Sequence, residues 1–557
     1  MFAAKTWLLQ LQRGCVNWRE GLGTLPRIDG QGFDHLAAET RTPLWNDSIE
    51  ADPSLQAGKV HNLRIAARQL NGVMLPAGAL FSFWRQLGPA TRIRGYVRGR
   101  MLREGCMIPA VGGGLCQLSN ALYELALQAD FEIVERWAHS RIVPGSAAAL
   151  GRDATVAWNY IDLRFRASHE LRLSVELSGT ELIVGLRSRT PWLAPKRKPK
   201  LPVPVKVPVV LPNSCDSCDA TDCFRHTGPS PRTQQAQAFL VAENWPEFRS
   251  YVQAQRTDRD LLALPLDGQR WRAPRYAWPT GGFTQLQTAS PATLMHGLAT
   301  RRAAPTAPAQ LQLQLRASRT WARQFARALR PEMTEITVAQ SLLPWLWMEG
   351  HLGGRRLRVL MTRLPLHALH ARLDAASARH SDRKTLGEFR APDFLVKAEQ
   401  AALAQAETIV TPHRDIAALF GGRAHLLDWH LPTLAPLAHK PRTGRIAFVG
   451  PTVARKGAFA LREAARELGL IVIPLGRHLE AADFWQGIAT ETAGDNWLQR
   501  VDAVVQPALV EEQPRPLLQA LAAGVPVIAS AACGLGSHPG LTLVPPDDAE
   551  ALVAALR

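Results

Sequence analysis

Apolar positions recur at helical spacing in LRIAARQLNG, residues 63–72, and in QLSNALYELALQ, residues 117–128. In the second stretch Leu118, Ala121, Leu122, Leu125 and Ala126 fall on one face, so both stretches are expected to be helices. The pattern then changes to alternation. ATVAW, DLRFR, LRLSVEL and ELIVGLR, separated by turn residues, read as strands. Residues 1–188 therefore predict a mixed α+β domain. Periodicity stops near Pro191, where seven prolines fall between Pro191 and Pro212. Spaced proline blocks helix interiors and central strands, so residues 189–235 read as an extended tether. Beyond it, strand and helix alternate in ITVAQSLLPWLWMEGHLGGRRLRVLMTRLP, in AEQAALAQAETIVTPHRDIAAL and in RIAFVGPTVARKGAFALREAARELGLIVIPLG. Such alternation implies parallel, doubly wound sheets. Two fit, one over residues 236–437 and one over 438–557, giving a multi-domain α/β chain.

Bulk numbers refine this picture. A chain of 557 residues exceeds one ordinary domain, and 46% hydrophobic against 20% charged residues suits packed cores rather than disorder. Lysine and arginine total 65 against 48 acids, a net +17. That excess suits phosphate-bearing metabolites or an anionic membrane surface, or is simply a solvated basic exterior; nucleic acid is not expected as a partner. No apolar run reaches the ~18 residues of a membrane span. The start, MFAAKTWLLQLQRG, is interrupted by Lys5, Gln10, Gln12 and Arg13, and reads as a short amphipathic surface helix rather than a leader. Seven unevenly spaced cysteines make no disulfide framework, so a reducing cytoplasmic location is expected, with peripheral contact to the inner face of the membrane as an option. Walker A, HExxH and GxGxxG signatures are missing from the sequence.

VGGGLCQLSNALYELAL, residues 111–127, places Cys116 where a helix is expected to begin. A helix N-terminus stabilises a thiolate through its unpaired N–H groups and positive dipole end. His139 in RWAHS and Asp153 in GRDATV follow, expected on later strands. The order Cys, His, Asp is the layout of papain-like and transglutaminase-like thiol enzymes, in which the His takes the thiol proton and the Asp orients the His. The alternative is structural: a small buried thiol, with His139 and Asp153 as caps or core hydrogen bonds. Gly112, Gly113 and Gly114 likewise have two readings. They form an access loop beside a reactive thiol, the reading favoured here, or a tight structural turn.

NLRIAARQLNGVMLPAGALFSFWRQLGPATRIRGYVRGRML, GGGLCQLSNALYELAL, IVERWAHS and GRDATVAWNYIDLRFR together closely resemble the VanW family over most of residues 55–188. The resemblance implies a link to the bacterial cell envelope but supplies no reaction. Cys116, Gln117, His139 and Asp153 fall on its motif.

NSCDSCDATDCFRH gathers Cys215, Cys218, Cys223 and His226 within twelve residues. Four soft ligands so close can fold round one tetrahedral Zn²⁺ without distant help. An iron–sulfur cluster, or three free cysteines in a loop, are the alternatives.

In RIAFVGPTVARKGAFALREAARELG, Lys456 and Gly457 are expected at a helix start after a strand and loop, a place suited to phosphate. With DAVVQPALVEEQPRPLLQALAAGVPVIAS, this region resembles the nucleotide-sugar-binding lobe of GT-B glycosyltransferases of the group 1, family 4-like type, with residues 330–437 matching the acceptor lobe more weakly. The resemblance implies retaining transfer from a nucleotide sugar to a nucleotide-linked or lipid-linked glycan precursor. The family's Gly-Arg pair is Gly450-Pro451 here, so the donor-diphosphate arginine is missing. Its lysine is matched by Lys456. Its two glutamates, for the sugar and the ribose, become Glu511 and Gln519. Pro514 stands where a backbone N–H would meet the donor. Three readings follow: a partly degenerate glycosyltransferase, a Cys116-dependent enzyme acting on an amide or peptide bond of an envelope precursor, or a non-catalytic scaffold that binds nucleotide sugars.

Overall fold

The computed structural model describes residues 2–28, 30–45, 53–103, 106–139, 151–192, 236–302, 307–388, 390–437 and 442–557. They fall into two compact units. One comprises Met1–Ala236 with Leu329–Glu335 and Glu349–Arg356; the other comprises Gln237–Ala328, Ile336–Met348 and Leu357–Arg557. The cluster Cys215, Cys218, Cys223 and His226 lies outside the described residues, as does almost all of the expected tether.

The first unit is β-rich. His35–Pro43, Glu181–Ser188, Leu171–Leu177 and Met74–Leu75 form one antiparallel sheet in that spatial order. Alternation decides its faces: Leu171, Leu173, Val175 and Leu177 are buried while the residues between them are not. A second sheet joins Leu80–Ser82, Arg164–Arg166 and Glu132–Glu135, and Arg98–Arg103 pairs with Cys106–Val111 as a hairpin. Two helices, Pro53–Leu70 and Leu115–Gln128, complete the core. The stripe Leu118, Ala121, Leu122, Leu125 and Ala126 is buried throughout. Each such leucine contributes about 1.5–3 kcal/mol by leaving water. DLRFR, LRLSVEL and ELIVGLR form strands as expected, but ATVAW does not. Residues 154–158 pair with no strand; the segment is held by hydrogen bonds to Trp137 and to side chains of the Cys116 helix.

Leu329–Glu335 and Glu349–Arg356 belong to this unit although their neighbours in sequence do not. The Gly354 N–H donates to Ser178 O at 2.8 Å, and Arg64 Nε to Gly353 O at 2.6 Å. Gly354 has φ +70°, and a Cβ there would lie 2.4 Å from Val60 Cγ1, so only glycine allows the approach.

The second unit contains two doubly wound lobes. Seven strands form the first sheet, in the order Gln285–Thr288, Leu261–Leu264, Gln237–Leu240, Glu335–Ala339, Arg356–Leu360, Thr408–Thr411, Ala424–Leu426. The second sheet runs Ile471–Pro474, Arg445–Phe448, Ala503–Gln506, Val527–Ser530, Leu541–Val544, parallel throughout. Their strands are short; Leu261–Leu264, Ala503–Gln506 and Val527–Ser530 are fully buried, as strands covered by helices on both faces require, while the edge strands are partly exposed. One apolar cluster runs through both lobes, joining Phe239, Trp245 and Trp278 to Ala447, Val504 and Leu517.

Candidate functional sites

The helix Leu115–Gln128 begins at Gly114, whose φ of +100° turns the chain into it. Cys116 therefore lies in the first turn, as its sequence context implied. The glycines before it do not form an open approach. A Cβ on Gly113 would lie 2.3 Å from Gly99 O, and one on Gly114 would lie 2.2 Å from Lys59 Cγ. These glycines are a tight structural turn packed against the Arg98–Arg103 strand, which corrects the access-loop expectation. Asn62 fixes the turn, its Nδ2 donating to Gly113 O at 2.9 Å and to Val97 O at 3.0 Å.

Cys116, His139 and Asp153 come together. His139 and Asp153 lie on irregular segments rather than on the strands expected. Those segments are tied side by side: the Thr155 N–H donates to Trp137 O at 2.8 Å, the Ala154 N–H to Asn120 Oδ1 at 2.7 Å, and Ser119 Oγ to Ala154 O at 2.5 Å. His139 Nδ1 is 2.7 Å from Asp153 Oδ2, and the His139 backbone N–H donates to the same oxygen at 2.6 Å. The other ring nitrogen is left for the thiol, whose pKa His139 lowers; Cys116 Sγ lies 3.8 Å from Thr155 Oγ1. Arg136 completes the set. Its Nη2 donates to Asp153 Oδ1 and its Nε to Asp153 O, each at 2.7 Å, and its guanidinium lies 5.3 Å from the Tyr123 ring centre. Arg136 carried no signal in sequence, because its partner is seventeen residues away.

The charges follow from these contacts. Burial opposes the thiolate of Cys116, but the hydrogen bond and charge of His139, the Val156 N–H and the Thr155 hydroxyl outweigh it, so the thiol lies below its ordinary pKa. Burial likewise opposes the imidazolium. The hydrogen bonds and charges of Asp153 and Cys116 outweigh it too and lift His139 to about 9. Asp153, 2% exposed, is held below the usual carboxylate range by His139 and Arg136 against its burial. The arrangement places a thiol of lowered pKa beside an imidazole of raised pKa that a carboxylate orients, a nucleophile with a proton-transfer partner next to it. Gln117 is not available to such chemistry, since its Nε2 donates to Thr42 Oγ1 at 2.8 Å and to Pro43 O at 2.9 Å. The other described thiols differ: Cys15 is exposed, and burial pushes Cys533 up to about 12.

The second site lies where strand order reverses. In the second lobe this is between Arg445–Phe448 and Ala503–Gln506, and ligands of such sheets bind beyond the strand ends at that point. Gly450, Lys456, Gly457, Gln506 and Glu511 gather there. Gly450 takes φ +84°. Gly457, at φ +80°, caps the helix Ala458–Leu468 and packs so closely that a Cβ would lie 2.3 Å from Pro507 O. Lys456 does not face open space. Its Nζ lies 2.8 Å from Glu511 Oε2, and both side chains are buried. Gln506 donates to the same oxygen, while the Glu512 and Gln513 N–H groups donate to Oε1, each at 2.8 Å. Burial raises the Glu511 pKa, but the Lys456 charge and hydrogen bond and these N–H groups outweigh it and hold it low. The residues expected to meet phosphate and sugar thus satisfy each other. Gln519, expected at the ribose, is exposed on the helix Arg515–Ala522. That helix starts between Pro514 and Pro516, which lack N–H groups. Arg515 is turned to Glu247 of the first lobe, at 2.8 Å through both nitrogens, with Trp245 and Trp429 ring centres 5.2 and 5.3 Å away.

A cavity of about 150 Å³ opens where the order of the first sheet reverses. Glu243, Gln340, Thr362 and Arg363 line it beyond their strand ends, and Glu512 and Gln513 face them from the other lobe. A cavity of that size holds one six-membered ring. Gln340 and Arg363 are anchored by Glu399, which is fully buried and accepts from both at 3.1 Å and from the Leu366 N–H at 2.5 Å. Sequence reading missed this network, because Glu399 looks like one more polar position on an ordinary helix. Among the described residues no group of three or more His, Cys, Asp or Glu is placed to hold a metal, and no helix is long and apolar enough to cross a membrane.

Comparison with known proteins agrees with this division. Residues 58–187 match the family model for VanW like protein, and residues 424–557 match that for glycosyl transferases group 1. The vancomycin B-type resistance protein VanW of Enterococcus faecalis is 36% identical over 144 residues, which are 25% of this chain and 52% of that protein. The uncharacterized protein YoaR of Bacillus subtilis is 29% identical over 165 residues, 29% of this chain and 52% of that one. The chain thus spans about half the length of the curated relatives it matches. Among solved structures, sucrose-phosphate synthase from Thermosynechococcus elongatus aligns with a TM-score of 0.39 at 16% identity, over 58% of this chain and 89% of that one. Anabaena HepE in complex with UDP and glucose aligns with a TM-score of 0.34 at 13% identity, over 58% and 88%.

Proposed function

We propose that this chain, a VanW-like module joined to a group 1 glycosyltransferase module, uses Cys116 as a nucleophile on an amide or peptide bond of a cell-envelope precursor. The observation that carries this reading is the Cys116–His139–Asp153 arrangement, with its lowered thiol and raised imidazole. In the reaction the Cys116 thiolate adds to the carbonyl carbon. The C–N bond breaks as the His139 imidazolium passes its proton to the departing amine, leaving a thioester. Water or a second amine, deprotonated by the now neutral His139, then attacks the thioester and returns the thiolate. Asp153 keeps the ring oriented, and Arg136 keeps Asp153 ionised. Intact-mass analysis after incubation with nucleotide-linked and lipid-linked precursor peptides tests this. An acyl adduct on Cys116, absent in Cys116→Ala, is expected. No adduct and no cleavage with any such peptide, together with an ordinary thiol pH profile, would remove the proposal.

A second reading concerns the other module. The match over residues 424–557 and the reversal-point placement of Gly450, Lys456 and Glu511 favour binding of a nucleotide sugar in the cleft between the lobes. The buried Lys456–Glu511 pair and the two prolines at Arg515 favour weak binding with slow or absent transfer, since each lost charge-assisted contact is worth about 1.5–3 kcal/mol.

A further inference from the structure

Three arginines and two histidines crowd together in the first unit with little to neutralise them. His61, Arg64 and Arg68 lie on one face of the helix Pro53–Leu70, three and four residues apart. His351 and Arg355 come from the segment Glu349–Arg356 of the same unit. Backbone carbonyls hold the arginines. Arg64 Nε donates to Gly353 O at 2.6 Å, Arg68 Nη1 to Glu349 O at 3.3 Å and Arg355 Nη2 to Arg330 O at 3.0 Å. Arg64 Nη1 lies 3.3 Å from His61 Nδ1, whose ring also meets Gly95 O at 3.1 Å. Carbonyl dipoles orient a guanidinium but do not cancel its charge. Arg64 and Arg355 are 5% and 4% exposed, and Nε and Nη1 of Arg355 are buried with no hydrogen-bond partner. The nearby acids are Glu349, 3.6 Å from His351 and acting on Arg68 through its charge, and Glu332, which acts on Arg355 through charge.

Burial, then repulsion from Arg355 and Arg68, weighs against charge on Arg64. Burial first, and neighbouring arginines after it, push His61 and His351 down to about 4, so both are neutral at pH 7. A guanidinium does not release its proton inside a protein, so its charge remains. Buried charge without a partner is costly, and an anion that neutralises it offsets the cost.

We propose that this cluster binds a phosphate group, which meets Arg68 and His351 at the half-buried rim while Arg64 and Arg355 supply fixed positive charge behind them. A phosphate offers several acceptor oxygens to guanidinium and imidazole donors at once. The rival is a docking device in which the arginines serve only the carbonyls of residues 330, 349 and 353.

Thermal unfolding of the full chain at pH 7.5 separates the two. Inorganic phosphate is titrated against chloride at matched ionic strength, for wild type, Arg68→Met and Arg355→Met. Wild type is expected to show a saturable rise in unfolding temperature with phosphate alone, and both variants a response at least tenfold weaker. Arg355→Met, which removes a buried unneutralised charge, is expected to unfold no earlier than wild type in phosphate-free buffer. An equal response to chloride would overturn the proposal, as would a wild-type phosphate response in both variants. If Arg355→Met does not fold, Arg68→Gln at the half-exposed rim carries the same test. Flotation with phosphatidylglycerol vesicles distinguishes the source: flotation lost in Arg68→Met assigns a lipid-borne phosphate, and no flotation assigns a free one.

Discussion

Asp153→Asn keeps the shape of the side chain and removes its charge. The carboxylate accepts from the His139 N–H at 2.6 Å, lies 2.7 Å from His139 Nδ1 and accepts from Arg136 at 2.7 Å. A hydrogen bond to a charged partner contributes about 1.5–3 kcal/mol. Weakening only the one to the imidazole lowers its basicity by that amount, equivalent to about tenfold to a hundredfold in an equilibrium constant. The thiolate–imidazolium population below the thiol pKa falls by the same factor. Iodoacetamide alkylation followed by peptide mass spectrometry from pH 5 to 10 reads that population at Cys116. Exposed Cys15 is the internal reference, and buried Cys533 the unreactive control. In wild type, Cys116 should alkylate well below the pH at which Cys15 begins to react. In Asp153→Asn its rate at pH 6 should drop at least tenfold and its profile move toward that of Cys15. The variant also leaves Arg136 without its counter-charge, so a loss of about 3 kcal/mol in stability is expected, and alkylation is compared only where both proteins are folded. A Cys116 profile matching Cys15 in wild type, or unchanged in Asp153→Asn, would refute the ion pair.

His139 is raised to about 9 in the fold against about 6.5 in an open chain. A raised pKa stabilises fully below the open-chain value and is lost as pH climbs through the folded one. Urea unfolding should therefore show stability falling between about pH 6.5 and 9, by at most ~3 kcal/mol because Cys116 shares the proton, and His139→Gln should flatten that slope. Lys456→Ala leaves Glu511 buried and unpaired, so a loss of about 3–5 kcal/mol is expected; Lys456→Met with Glu511→Gln should recover most of it, and equal losses in both would contradict the pairing. Calorimetry with UDP, GDP and their sugars should give weak binding that Lys456→Ala reduces; silence at millimolar concentration would leave the second module as a scaffold. Glu247→Gln cuts the bidentate contact that joins the lobes through Arg515, and proteolysis at the lobe junction near residue 437 should accelerate severalfold if that contact holds them together.

Residue patterning alone specified the elements whose faces it spelled out. The stripe from Leu118 to Ala126 specifies a buried helix, the alternation in LRLSVEL a one-sided strand, and the repeated strand–helix change a pair of parallel sheets. Local spacing carries that information because helix and strand have fixed periods. Cys116 at the helix start was legible for the same reason, and so were its partners' types and order. What the glycines do, and where charges end up, was decided only in three dimensions. Gly113 and Gly114 lack side chains because Gly99 and Lys59 occupy that space. Lys456 meets Glu511 rather than an open cleft, and Arg515 reaches Glu247 across 268 residues. Arg136, Glu399 and Arg355 each look like ordinary polar positions in the chain. Their burial, and the partners they have or lack, come from segments distant in sequence. Pairing energy depends on distance and on the exclusion of water, and neither is set until the chain has packed.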